Sequence, residues 1–147
     1  MLKDFLNNLL QQQHPLRLFY HKTLAALASI YYGFPANKMT VIAVTGTKGK
    51  STTCNMIHAI LSEAGKKVGM LTTVNFKIGA EEIANDSEQT TLGPFPLQYM
   101  LNKMQKAGCE IIILEVTSHA IIQSRIWGIN IDTAVFSNLA HEHLDYH

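Results

Sequence analysis

Thr40-Val-Ile-Ala-Val-Thr-Gly-Thr-Lys-Gly-Lys-Ser-Thr-Thr53 is the stretch from which the fold can be read. Its first six residues are β-branched or apolar without a break, the pattern of a strand buried on both faces of a parallel sheet. A glycine-rich turn follows. From Ser51 to Ala64 the apolar residues Met56, Ile57, Ile60 and Leu61 recur at helical spacing, and Gly65 is a natural helix stop. Val68 to Thr72 reads as the next strand, so the three pieces form a βαβ unit whose strands should run parallel with a right-handed crossover.

Working outward, Met1 to Gln13 reads as a short helix, and His14-Pro15 restarts the chain because a residue before proline is pushed out of the α region. Leu16 to Tyr32 has helical spacing and ends at Gly33-Phe34-Pro35. On the other side, Val74 to Ile78 and Glu81 to Ile83 flank Gly79-Ala80 and predict a small hairpin reaching away from the sheet. Asn85 to Gly93 reads as a polar loop, Pro94 to Ala107 as a helix with proline in its first turn, and Glu110 to Val116 as a strongly apolar strand. A short helix over Ala120 to Trp127 and a strand over Asp132 to Ser137 complete the pattern. Strands alternating with helices predict an α/β fold, a doubly wound, mostly parallel sheet with flanking helices.

The composition agrees with one globular unit. The chain has 147 residues, 47% hydrophobic and 16% charged, with 12 Lys plus Arg against 11 Asp plus Glu. A chain of this length buries roughly 68–70% of its unfolded surface, which excludes disorder. The near-zero net charge, with no basic cluster, argues against a nucleic-acid partner. Cys54 and Cys109 match neither a disulfide framework nor a zinc spacing, which fits a reducing, cytoplasmic setting. Arg17, His21 and Lys22 interrupt the most apolar stretch, so no membrane span is expected. The N-terminus lacks the features of a signal peptide. The chain stops at His147 inside a polar string, which gives it the look of a protein cut short.

Three motifs carry chemistry. Thr45-Gly-Thr-Lys-Gly-Lys-Ser-Thr-Thr53 lies between a buried strand and a helix start, the context a phosphate-binding loop requires. Loop amides and the positive end of the helix favour an anion there. Lys50, expected to face solvent in the empty loop, would reach phosphate oxygens, and the Ser51 hydroxyl would ligate Mg²⁺. The general pattern G-x-x-x-x-G-K-[ST] has glycine where this chain has Val44, so Gly46 takes over the turning. The bland alternative is a glycine-rich turn with a solvated lysine pair. Glu115, in Glu115-Val-Thr-Ser-His-Ala120, ends a strand on the edge where open parallel sheets bind ligands; it reads equally as a metal ligand or as a solvated strand-end charge. Ser118-His119 invites a hydrolase reading, but no G-x-S-x-G elbow surrounds the serine. The third motif runs from Ser137 to His147. A histidine there could join an Mg²⁺ shell, although Mg²⁺ prefers oxygen and a His-rich transition-metal site is the competing reading. Asp86, Glu88, Thr90 and Thr91 precede a helix and could bind a substrate or cap that helix.

Together these motifs resemble the ATP-dependent Mur ligases, which build the peptide stem of peptidoglycan, and most closely the type that adds the third residue to a UDP-N-acetylmuramoyl-dipeptide. The loop is similar to the family's TGTNGKTTT. Glu115 to Ala120 with Gln123 and Arg125 is similar to EVSSHAL and its following Q-x-R. Ala134 to Leu139 with His143 to His147 is similar to AVFTNL…DHLDYH. The resemblance covers about Leu24 to His147. It implies a P-loop NTPase-like central domain, incomplete here, over 40–147, with 1–39 a helical linker. It implies ATP phosphates held by Gly46, Thr47, Lys48, Gly49, Lys50, Ser51 and Thr52. Around Mg²⁺ it sets Ser51, Glu115 and His143, and it makes Lys50, Glu115 and His143 the catalytic residues. Gln89, Thr90, Thr91, Thr117, Gln123 and Arg125 fall at substrate-contacting positions. Gln89 replaces an asparagine, Leu92-Gly93 separates the threonines from their proline, and Lys48 replaces the loop's asparagine. Such ligases also carry a uridine-binding domain of about a hundred residues and a C-terminal domain that selects the amino acid. Neither is present, so the chain alone is expected to turn over no substrate. Folylpolyglutamate synthase shares the fold and a Thr-Lys-Gly-Lys loop, and a nucleotide-binding module without catalysis is the other alternative.

Overall fold

The computed structural model describes residues 15–85 and 89–140. In chain order the elements are α1 (Pro15–Tyr32), a 3₁₀ turn (Pro35–Lys38), β1 (Thr40–Thr45), α2 (Lys50–Glu63), β2 (Val68–Leu71), β3 (Asn75–Ile78), β4 (Glu81–Ala84), α3 (Pro94–Lys106), β5 (Ile111–Glu115), α4 (Ser118–Ile122) and β6 (Thr133–Phe136). The helix expected over Met1 to Gln13 lies outside the described residues.

One six-stranded sheet runs in the order β4-β3-β2-β5-β1-β6. β1, β2, β5 and β6 are parallel, with Val44 opposite both Glu115 and Val135. The period of two sorts the strand side chains onto two faces. Val41, Ala43, Ile112, Leu114 and Leu71 pack on one face with Leu97, Leu101 and Met104 of α3. Val44, Ile113, Val68 and Met70 pack on the other with Cys54, Ile57 and Leu61 of α2. Helices on both faces are what the unbroken apolar strands require. α1 lies outside α3, where Gln98 Nε2 donates to Ser29 Oγ at 3.1 Å and Ser29 Oγ stands 3.0 Å from Trp127 O.

Two expectations are corrected. The hairpin does not reach away: β3 pairs antiparallel with β2, Leu71 opposite Phe76, and β4 pairs with β3, so the sheet grows by two strands. Phe76 and Ile78 join the α3-side core, and burying them there holds the hairpin in plane. The helix expected to reach Trp127 stops at Ile122. Ser124 takes φ 51°, Arg125 N donates to Ala120 O at 2.8 Å, and Ser124 N donates to Ile121 O at 2.9 Å. That bond pair is the Schellman stop, built here on a serine where glycine is usual.

His58, on α2, is buried, and its Nε2 has no hydrogen-bond partner among the described residues. Burial, then the nearby Lys77 charge, pushes its imidazole below the ordinary histidine value. The folded chain therefore binds that proton less readily than the unfolded chain, and stability rises with pH through the window just below about 6.5. His21 is held down in the same way by burial and by Arg17. Urea midpoints are expected to fall between pH 7.5 and pH 5.5. His58→Gln should flatten that slope in part, and an unchanged slope would rule His58 out as a source.

Cys54, also on α2, is fully buried. Burial, followed by the Glu115 carboxylate, pushes its thiol up to about 12.

Candidate phosphate site

β1 delivers the loop of residues 46–49 to the N-terminus of α2. Gly46 has φ 133°, and a Cβ there would fall on Ser137 Oγ and within 2.9 Å of Asn138 O. No other residue fits that crossing. Gly49, at φ 78°, caps α2 with no side-chain acceptor. Among the described residues the amides of Lys50, Ser51 and Thr52 thus open the helix with no acceptor of their own, since the first intrahelical bond to Gly49 O comes from Thr53 N at 2.9 Å. Such a row of amides at the positive end of a helix favours an anion.

Lys50 differs from its expected free state. Its Nζ donates to Gly46 O at 2.9 Å and to Thr47 O at 3.1 Å, folding back over the loop. Thr47 N and Lys48 N are also engaged, with Asn138 O at 3.0 Å and Asn138 Oδ1 at 2.9 Å. Ser137 Oγ donates to Lys48 O at 2.8 Å, and Ala140 N to Thr47 Oγ1 at 2.9 Å. Beside the loop opens a cleft of about 250 Å³ lined by Gly46, Lys50, Thr117, His119 and Phe136.

Glu115 ends β5 with its side chain on the α2 face, following Ile111 and Ile113. It is 3% exposed. Its Oε2 accepts from Ser51 Oγ at 2.8 Å and from Thr73 N at 2.9 Å. A hydroxyl and a carboxylate in contact at the loop's foot are hard oxygen donors of the kind Mg²⁺ takes. Among the described residues no group of three His, Cys, Asp or Glu side chains could hold a metal. His143, the third member of the expected shell, lies outside the described residues.

Gln89, Thr91 and Gln123 converge on Arg125, which follows the Schellman turn. Its Nε donates to Gln123 Oε1 at 2.8 Å, and its Nη1 to Thr91 O at 2.6 Å and to Gln89 Oε1 at 3.4 Å. Burial lowers its pKa, yet an arginine remains a cation at neutral pH. Thr91 Oγ1 donates to Glu115 O at 3.1 Å and accepts from Thr117 N at 3.3 Å. Thr117 Oγ1 caps α4 by accepting from Ala120 N. Thr91 and Gln123 are buried and tied to protein groups, so both help to hold Arg125 and the β5 end in place. Thr90 lies beside Thr91 in a small apolar void under the same loop.

Sequence reasoning gave no role to Thr73, Asn85, Ser137 or Asn138. Asn85 Nδ2 stands 2.9 Å from Thr72 O, 3.1 Å from Thr73 O and 2.9 Å from Gln89 O, closing the loop that carries the threonines. An asparagine directly after a hairpin strand is a turn signal, but its partners are not legible along the chain.

Comparison with known proteins bears on this geometry. Residues 44–147 match the Mur ligase middle domain. Over 126 residues the chain is 40% identical to a UDP-N-acetylmuramoyl-L-alanyl-D-glutamate--2,6-diaminopimelate ligase of Parabacteroides distasonis, covering 86% of this chain and 26% of the relative. A solved structure of a ligase with that same name superposes with a TM-score of 0.63 at 33% identity, covering 74% of this chain and 22% of the other. E. coli FolC in complex with DHPP and ADP superposes with a TM-score of 0.66 at 24% identity, over 84% of this chain and 34% of FolC, a likeness of fold alone. The chain thus spans about a quarter of the length of the curated relatives it matches. With residues 44–147, most of the chain, matched to that domain, the chain belongs to the Mur ligase family.

Proposed function

We propose that residues 40–147 are the phosphate-binding part of an ATP-dependent ligase that joins an amino acid to a UDP-N-acetylmuramoyl-peptide, with 1–39 as its linker. In that reaction a substrate carboxylate oxygen bonds to the γ-phosphorus of ATP and ADP leaves. The amino group then attacks the carbonyl carbon of the acyl phosphate and phosphate departs. The observation that carries the reading is the free amide row of Lys50, Ser51 and Thr52, with Lys50 Nζ beside it and the Ser51–Glu115 oxygen pair at its foot. The names of the relatives support the acceptor class, and the ADP named in the FolC structure supports a nucleotide on this fold.

Each side chain has a part in this reading. The amides and Lys50 bind the phosphates and offset the charge that develops on the transferred group. Ser51, Glu115 and His143 would hold Mg²⁺, which supplies Lewis-acid stabilisation of the phosphate oxygens. Gln89, Thr90, Thr91, Thr117, Gln123 and Arg125 form the side on which the acceptor would bind, with Arg125 supplying a cation for its acidic groups. On this reading the protein works in the cytoplasm on small-molecule substrates. Among the described residues no helix is long and apolar enough to cross a membrane.

Calorimetry of the chain with ATP tests the binding half: binding that strengthens with Mg²⁺ supports it, and no heat with either form sinks it. The ligase half is tested on the longest natural form containing this sequence, by incorporation of a labelled amino acid into a UDP-N-acetylmuramoyl-dipeptide. Nucleotide binding without incorporation would favour a non-catalytic module.

A further inference from the structure

The segment after β6 is tied to the phosphate loop by a set of hydrogen bonds and one close approach. Asn138 O and Oδ1 accept from Thr47 N and Lys48 N, Ser137 Oγ donates to Lys48 O, Ala140 N donates to Thr47 Oγ1, and Gly46 leaves no space for a Cβ against Ser137 and Asn138. An amide hydrogen donated to Asn138 is not available to a phosphate oxygen. The loop is therefore divided. The amides of Thr47 and Lys48 are committed to the neighbouring segment, while among the described residues those of Lys50, Ser51 and Thr52 stay open.

We propose that Ser137 and Asn138 are positioning residues, a latch that fixes the phosphate loop in its receiving shape before the anion arrives. The proposal rests on the phosphate-binding reading above and adds residues that the reading does not use. Its physical content lies in Lys50. The Lys50 ammonium donates to the carbonyls of Gly46 and Thr47. When Nζ turns to a phosphate oxygen, those carbonyls lose their donor, and an unsupported loop would rearrange. Asn138 grips the two peptide units after Gly46 by their N–H groups, opposite the carbonyls that Lys50 covers, and Ser137 holds the next unit through Lys48 O, so Lys50 can leave without the loop following. Affinity is gained when the binding geometry exists beforehand.

Three variants of the full chain test the latch: Asn138→Ala, which removes Oδ1; Asn138→Asp, which keeps an acceptor there; and Ser137→Ala, which removes only the hydroxyl. Hydrogen exchange at the Lys48 amide reports the loop, calorimetry reports Mg·ATP affinity, and thermal melting reports the fold. Asn138→Ala should speed Lys48 exchange about tenfold and weaken Mg·ATP about five- to tenfold, with the melting temperature nearly unchanged because the bonds lie at the surface. Asn138→Asp should restore protection of Lys48. Ser137→Ala should show both effects in smaller measure, and it decides the matter if Asn138→Ala fails to fold. Wild-type protein that binds Mg·ATP while both alanine variants bind it equally well would overturn the latch. Wild-type protein that binds none would overturn the phosphate reading and the latch with it.

Discussion

Lys50→Ala is expected to weaken Mg·ATP binding by about a hundredfold or more while leaving the fold intact. The ammonium lies at the mouth of a loop whose other contributions are neutral amides, and a charge-assisted hydrogen bond to a phosphate oxygen is roughly twice as strong as a neutral one. A hundredfold is about 2.7 kcal/mol, within the range of a single hydrogen bond to a charged group. The fold should survive because the partners that Lys50 gives up, Gly46 O and Thr47 O, belong to a surface loop where water can replace the donor. Calorimetry on the variant, alongside a melting curve that matches wild type, measures both halves. Unchanged affinity would remove Lys50 from the phosphate site.

Glu115 is expected to show the largest stability effect in the site. Glu115→Leu keeps the bulk but leaves Thr73 N and Ser51 Oγ without the acceptor they share. A fully buried donor stranded in this way costs about 1–3 kcal/mol, and because both donors are only partly buried the two together should lower the urea unfolding free energy by about 2–4 kcal/mol. Glu115→Gln keeps an acceptor oxygen and should lose less than half as much. Its effect should fall on the metal: ATP binding by Glu115→Gln should no longer strengthen when Mg²⁺ is added. A Gln variant that kept the full Mg²⁺ dependence would take Glu115 out of the metal shell. A Leu variant as stable as wild type would mean that water reaches Thr73 N despite its neighbour's burial.

The parts of this fold that were legible in the sequence are those in which local pattern and tertiary demand coincide. The β-branched run of β1, the glycines after it and the helical spacing of α2 each point to the same unit, and the structure places their ends within a residue. The hairpin was legible as two strands but not as sheet. Alternation says that a strand is half buried, and only the docking of Phe76 and Ile78 beside α3 says against what. The stop after Ile122 was missed because a left-handed serine has no signature that a left-handed glycine would have. The site divides in the same way. Lys50, Ser51 and Glu115 stand in motifs with a chemical logic of their own, whereas the cluster on Arg125 is assembled across 34 to 36 residues of chain, a separation no local rule spans. Asn138 stood in a quoted motif without a role, because its partners lie 90 and 91 residues away.

Cys54 turns this architecture into a clock. Its sulfur is fully buried behind the phosphate loop, and a thiol with its pKa near 12 has almost no thiolate at neutral pH. In the closed molecule it is chemically silent. Each time the first turns of α2 lift from the sheet, the thiol meets water, recovers its ordinary acidity and can be alkylated. The labelling rate at Cys54 therefore counts openings of the helix that carries Lys50 and Ser51, with no probe added to the chain. Because a ligand that favours the closed helix slows the count in proportion to its occupancy, the natural cysteine converts binding at the loop into covalent modification at a single mass-resolved position.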